Sequence, residues 1–253
     1  MNKYKIRQFL FKIIRYLIYV FYPKTKVVGL EKLPDEACII VGNHSQLHGP
    51  VACELYFPDN FYTWCTSQMM ELKEVPAYAY KDFWSQKPKI QRPFFKLVSY
   101  IIAPLSVVIF NSARTIAVHR DNKILSTFRE TVAKLQDGKN IVIFPEHDKK
   151  HNHVVYDFQE GFVDVAHLYY KRTEKELSFV PLYVAPAFKT MYLGNPIKFS
   201  SDAPLDEERR RICDYLMNEI TDMACGLPEH TVVPYRNIPK RMYPKNTQKE
   251  QEK

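Results

Sequence analysis

No two cysteines in this chain form a C-x-x-C pair, although there are five: Cys38, Cys53, Cys65, Cys213 and Cys225. An odd, scattered set, with no small-residue cleavage site near the start, argues against a disulfide framework and for a reduced, cytosolic setting. Internal repeats and an interdomain linker are also missing, so the 253 residues read as one large α/β domain with short appendages. His147, His151 and His153 crowd together but have no neighbouring cysteine and no i, i+4 acid. A polar loop is expected there rather than a metal site. The formal net charge of +8 permits nucleic acid, anionic lipid or an acidic carrier as partner. No RNA-binding aromatic signature and no polyanion-binding surface supports the first of these, so no nucleic acid is expected.

The N-terminal apolar run is not a clean membrane span. Residues 8 to 22, QFLFKIIRYLIYVFY, fall short of the roughly 20 needed to cross a bilayer and are interrupted by Lys12 and Arg15. On a helix, Gln8, Lys12, Arg15 and Tyr19 share a narrow face, while Leu10, Ile13, Ile14, Leu17 and Phe21 cover the rest. That pattern fits a helix lying in a membrane surface, the alternative being a helix packed on its own domain. Residues 94 to 110, FFKLVSYIIAPLSVVIF, are apolar, and the central Pro104 argues against one smooth helix. They read either as a second membrane-contacting segment or as a buried helix and strand.

What is present is globular: 46% hydrophobic and 25% charged residues, with 16 Phe and 17 Tyr concentrated near the apolar runs. That crowding favours lipid among the partners. Residues 1–25 read as an amphipathic membrane-surface helix, 26–240 as the α/β domain and 241–253 as a charged, frayed tail. Short β-branched runs at 38–42, 61–67, 115–120, 140–146, 178–186 and 188–194 predict strands. Helices are expected at 50–57, from Asp121-Asn122 to Gly138, at 160–171 and at 206–225. A polar loop is expected over HDKKHNHVVYDF. The expectation is a mixed, mostly parallel sheet flanked by helices.

Chemistry is expected beyond the carboxyl ends of such strands. The run CIIVG stops at Asn43-His44, and Gly49-Pro50 then predicts a helix start with Gly49 as cap and Pro50 at the first turn. His119-Arg120 and Pro145-Glu146 end two other strands. A neutral histidine suits general-base work on a hydroxyl, and an arginine can grip a phosphate bidentately. Glu146 either orients such a group or braces its loop. His44 either acts as the base or satisfies a tight turn, and Arg120 either meets a ligand or pairs with Asp121. His48 reads as solvated or structural, and Gly161, near Asp157, as a close-packing position.

The order GLEKLP, IIVGNHSQLHGP, IAVHRDN, NIVIFPEHDKK, GFVDVA and FVPLYVAP resembles the glycerolipid acyltransferase family, over roughly residues 26 to 200. The resemblance implies a glycerol-3-phosphate acyltransferase-like fold and O-acyl transfer from acyl-CoA or acyl-carrier protein to a hydroxyl of lysophosphatidic acid or a related lipid. It implies no metal and no organic cofactor. Residue by residue it implies His44 as the catalytic base, Asn43 as a substrate-binding residue beside it, and Arg120 on the acceptor phosphate. The third block is Phe144, Pro145 and Glu146 followed by His147, Asp148 and Lys149, and the resemblance implies substrate binding by Phe144, Pro145 and Glu146 with Lys149 as helper; Val180-Pro181 is the fourth. A peripheral location on the cytoplasmic face of a membrane follows.

The chain departs from the pattern in its third block, where His147 and Lys149 replace a glycine and an arginine, and in an unusually long segment, 68 to 114, between the first two blocks. The most telling departure is in the first block. The family's first block places an aspartate five residues after the histidine, and here that position is Gly49. Glycine cannot orient an imidazole, so Glu54 or Asp148 is the expected substitute carboxylate. A degenerate member that binds lipid or acyl donor without turnover is the competing reading.

Overall fold

A computed structural model describes residues 3–58, 60–85, 87–119 and 123–247. In chain order the elements begin with α1 (Lys3–Phe21), β1 (Lys26–Val28), β2 (Ile39–Gly42), α2 (His48–Tyr56), β3 (Phe61–Thr66) and α3 (Val75–Ala79). Then come α4 (Arg92–Phe110), β4 (Thr115–Val118), α5 (Ile124–Gln136), β5 (Asn140–Ile143), β6 (Glu146–Lys150) and β7 (Tyr156–Phe158). The last are α6 (Asp164–Thr173), β8 (Ser178–Ala185), β9 (Thr190–Leu193), β10 (Ile197–Lys198) and α7 (Leu205–Cys225). This is the α/β domain expected from the sequence, with its mostly parallel mixed sheet, flanking helices and N-terminal helix. Within it the chain divides into two compact units: residues 1–22 with 63–127, and residues 23–62 with 128–253.

The larger unit holds the sheet path β1-β9-β8-β2-β5, with β10 antiparallel on β8. Strands β2, β5 and β8 run parallel, whereas β9 is antiparallel to β8. Ile39, Ile40, Val41, Ile141, Val142, Phe179 and Val180 are fully buried. A parallel sheet covered on both faces needs such continuous apolar runs rather than alternation. Helix α7 packs on β8 and buries Ile212, Leu216, Ile220 and Ala224, a stripe with helical spacing. Gly138, with φ +73°, closes the turn after α5, as its position predicts. The stretch expected as a loop before α6 is instead an antiparallel hairpin of β6 and β7, with irregular register between Glu146 and Lys150. Its polar, lysine-rich first strand carries no apolar alternation, which is why the sequence does not announce it.

The smaller unit pairs β3 with β4 in parallel and packs α3 and α1 on α4. Its buried cluster is slight: Met69, Val75, Ala79 and Ala103. Helix α4 is one continuous helix, contrary to the break expected at Pro104. The N–H that proline lacks would have met the Tyr100 carbonyl, and both residues lie on the exposed side. The buried side is small and polar: Ser99, Ala103 and Ser106, with the Ser106 hydroxyl donating to the Met69 carbonyl at 2.9 Å. The helix α3 and the turns after it occupy residues that show no clean period in the sequence.

Candidate active site

Register assembles the site. Val41 of β2 stands beside Ile143 of β5 on one side and Pro181 of β8 on the other. Three residues beyond each lie His44, Glu146 and Val184, so parallel strands about 4.8 Å apart deliver all three to one level. The hydrogen bonds follow. The His44 backbone N–H donates to Glu146 Oε2 at 2.5 Å, and the Val184 N–H donates to Asn43 Oδ1 at 2.7 Å. Asn43 is buried, and its amide nitrogen also donates to Ser45 Oγ at 2.8 Å and to the Val184 carbonyl at 3.2 Å. Both ends of this side chain are occupied, so Asn43 holds the loop rather than a substrate.

The loop then turns through Ser45 and Gln46, both left-handed, with φ +47° and +57°. Two consecutive non-glycine residues in this region cost roughly 1–2 kcal/mol each, and persist only if the surroundings enforce them. The turn aims the Gln46 carbonyl at Nδ1 of His44. A carbonyl can only accept, so Nδ1 carries the proton and Nε2 keeps its lone pair. Burial lowers the pKa of His44, and the Gln46 hydrogen bond opposes that in part. The ring is therefore neutral at pH 7, held edge-on to Phe144 and Tyr235 with centroids at 5.4 and 5.8 Å. That is the form a general base requires.

Gly49 is not a cap. Helix α2 starts at His48, so Gly49 lies inside its first turn and its N–H donates to the His44 carbonyl at 3.1 Å. A Cβ at this position would meet Phe144 Cε1 at 2.7 Å, the His44 oxygen at 2.9 Å and the Asn43 oxygen at 3.1 Å. The close approach of two backbone carbonyls and a ring demands glycine and leaves no room for a carboxylate. Of the expected substitutes, Asp148 is exposed and pairs with Arg236 at 3.4 Å, and Glu54 lies on α2. The single Nδ1 proton is already given to Gln46.

Glu146 is buried and braces the site. One carboxylate oxygen accepts His44 N–H and the other accepts Tyr156 N–H at 2.8 Å, tying β7 to the histidine loop. Burial pushes its pKa up to about 7, against the two backbone donors that favour the charged form. Of its two sequence readings, the brace is the one these contacts describe. Phe144 fills the space over Gly49, and Pro145 is buried with its carbonyl accepting Gln159 N–H at 3.0 Å. Lys149 is exposed and pairs with Asp157 at 3.1 Å. Arg120 lies outside the described residues. Among the described residues no group of histidine, cysteine and acid side chains could hold a metal ion.

Sequence reasoning missed Gln46, Tyr235 and Tyr243. Gln46 Nε2 donates to the Tyr243 hydroxyl at 2.8 Å, and Tyr235 packs on both His44 and Tyr156. A signal was present. Pro234, Pro239 and Pro244 recur at five-residue spacing between tyrosines, a stiffened segment rather than a loose tail.

No protein-family model and no curated protein sequence matches this chain. Among solved structures it is similar to the 1-acyl-sn-glycerophosphate (LPA) acyltransferase PlsC from Thermotoga maritima. The two are 14% identical with a TM-score of 0.50, over 88% of this chain and 83% of that one. The fold that carries His44 and Glu146 to the ends of neighbouring strands is similar to the fold of that protein.

Proposed function

We propose that this chain is an O-acyltransferase of glycerolipid synthesis, working at a membrane surface. The observation that carries the reading is the neutral, oriented imidazole of His44 at the in-register ends of β2 and β5. Nε2 of His44 takes the proton of an acceptor hydroxyl as its oxygen attacks the thioester carbonyl of acyl-CoA or acyl-carrier protein. The C–O bond forms, a tetrahedral oxyanion collapses, and the C–S bond breaks. The imidazolium returns its proton to the departing thiolate sulfur. Acceptors of the lysophosphatidic acid class fit a basic chain, with Arg120 and Lys149 as the cations for a phosphate head. No metal or organic cofactor enters these steps.

Peripheral attachment to the cytoplasmic face of a membrane is supported by the smaller unit. Phe9, Tyr16, Leu17 and Phe21 of α1, and Phe94, Leu97 and Ile101 of α4, remain exposed although these helices pack on each other. Residues Lys89–Phe110 are also long and apolar enough to cross a membrane by length and composition. An apolar face of this size beside lysines and arginines suits an anionic lipid surface.

A second reading, lipid or acyl-donor binding without turnover, has one observation in its favour: the imidazole is oriented by a carbonyl, which stabilises an imidazolium less than a carboxylate does. The test is acyl transfer from palmitoyl-CoA, and from palmitoyl-acyl-carrier protein, to oleoyl-lysophosphatidic acid, followed by mass spectrometry. Phosphatidic acid formed by wild type and lost in His44→Ala is expected. Equal inertness of both proteins with either donor, while vesicle binding persists, would leave the binding-only reading.

A further inference from the structure

The left-handed turn at Gln46 needs something to hold it, and the chain's C-terminal segment is in place to do so. Residues 228–246 leave α7 and return to their own start. His230 N–H donates to Asn246 Oδ1 at 2.8 Å, Asn246 N–H to the His230 carbonyl at 3.1 Å, and Val232 N–H to the Pro244 carbonyl at 2.9 Å. The Asn246 amide also donates to the Ala224 and Leu227 carbonyls at 2.9 and 3.1 Å, and Asn246 is buried. His230 gives its Nδ1 proton to the Pro228 carbonyl and accepts the Tyr183 hydroxyl at 2.7 Å, fixing the base of the loop to β8. From this closed base an arm, residues 233–243, reaches the histidine loop. There Gln46 Nε2 donates to Tyr243 Oη at 2.8 Å and approaches the Arg236 carbonyl at 3.4 Å, while the Tyr235 ring stands against His44.

We infer that this C-terminal strap is the positioning element for His44: it clamps the Gln46 side chain so that the Gln46 carbonyl holds the imidazole with its proton on Nδ1. The physical need is specific to this chain. Gly49 leaves no space for a carboxylate, so orientation falls to a backbone carbonyl, which is only as well placed as its own φ and ψ. Gln46 in the left-handed region would relax by rotating its peptide and swinging the carbonyl away. An anchor on its side chain opposes that rotation. Tyr243 and Gln46 are positioning residues, acting on the reaction through His44 alone.

The inference rests on the acyl-transfer reading for its rates but not for its structural readout. Tyr243→Phe removes one hydroxyl, and Gln46→Ala removes the anchored side chain while keeping the carbonyl. Long-range ¹⁵N NMR of the His44 ring reports its tautomer directly. Wild type is expected to show Nδ1 protonated and Nε2 bare, and each variant a mixture of tautomers with an unchanged thermal melt. The turnover number should fall by roughly fivefold, as for one neutral hydrogen bond, with KM for the lysolipid little altered. The double variant should be no slower than the slower single, because both changes break the same clamp. If neither variant shifts the tautomer, the inference is overturned, whatever happens to rate. If both shift it while wild type transfers no acyl group, the strap's role stands and the acyl-transfer reading falls. Should Tyr243→Phe fail to fold, Gln46→Ala alone decides the tautomer.

Discussion

The two units of this chain solve opposite problems. The larger one buries its apolar runs completely and nearly balances its charge, with 22 Lys and Arg against 24 Asp and Glu. The smaller carries 14 Lys and Arg against four Asp and Glu, so the chain's entire positive excess resides there. It also leaves Phe21 83% and Ile101 66% exposed, and its buried cluster is four small or medium residues. Burial in the larger unit produces chemistry, since a buried imidazole is neutral and a strained turn can be held. Exposure in the smaller one is what the proposed attachment to a lipid surface would use. A net charge averaged over the sequence conceals this separation, because +8 is the difference between a strongly basic part and a slightly acidic one.

The sharpest way to break the comparison is to remove one function and keep the other. His44→Ala is expected to cut acyl transfer by a factor of roughly 10² to 10⁴, the usual contribution of a positioned base. Its sedimentation with anionic vesicles should match wild type. If vesicle binding fell with activity, the two properties would not be separable by unit. The converse variant, Lys12→Glu with Arg15→Glu, targets the basic side of α1. It should weaken binding to vesicles containing phosphatidylserine by roughly tenfold or more, and binding to neutral vesicles much less. Transfer to a short-chain, water-soluble lysolipid should survive. A third variant sharpens what the larger unit has built. Gly49→Asp introduces the aspartate of the acyltransferase motif that this stretch resembles, yet Phe144 and two carbonyls occupy its space. The expected outcome is a protein destabilised by about 1–3 kcal/mol in urea unfolding, with lower and not higher activity. A gain of activity would mean that the turn can open to admit a carboxylate.

How much of this was legible in the sequence depends on where the information lay. The strands of the larger unit are continuous β-branched runs between turn residues, a local signal, and β2, β5, β8 and β9 fall where those runs do. His44 and Glu146 could be nominated because both end such strands. That they would meet required the register Val41–Ile143, which no local pattern encodes. Helix α4 was misjudged at Pro104 because the rule concerns a lost hydrogen bond, and here the bereft carbonyl lies on the exposed side. Gly49 was expected to cap, since Gly-Pro looks like a helix start. The real constraint is a ring and two carbonyls brought by other strands. Gln46 was invisible for the same reason: its value lies in a left-handed turn and a tyrosine 197 residues away.

Within the larger unit the two buried titratable groups of the site respond to protons in opposite ways. In the fold the Glu146 carboxyl is pushed up to about 7 by burial, against an ordinary value of 4.5. Between those values the native chain holds this proton more tightly than the unfolded one. Linkage makes the Glu146 contribution fully present below pH 4.5 and progressively lost as pH rises through about 7. His44 runs the other way: its depressed pKa contributes stability that is lost as pH falls below the ordinary 6.5. Glu146→Gln removes one titration and leaves the other. The variant also loses one acceptor for the His44 and Tyr156 donors, a cost of about 1–3 kcal/mol that does not depend on pH. Urea unfolding of both proteins across this interval should therefore give a stability difference that shrinks as pH rises and levels off above about 7. A difference constant with pH would place the carboxyl of Glu146 in contact with water. The brace that joins β7 to the histidine loop would then have to be drawn differently.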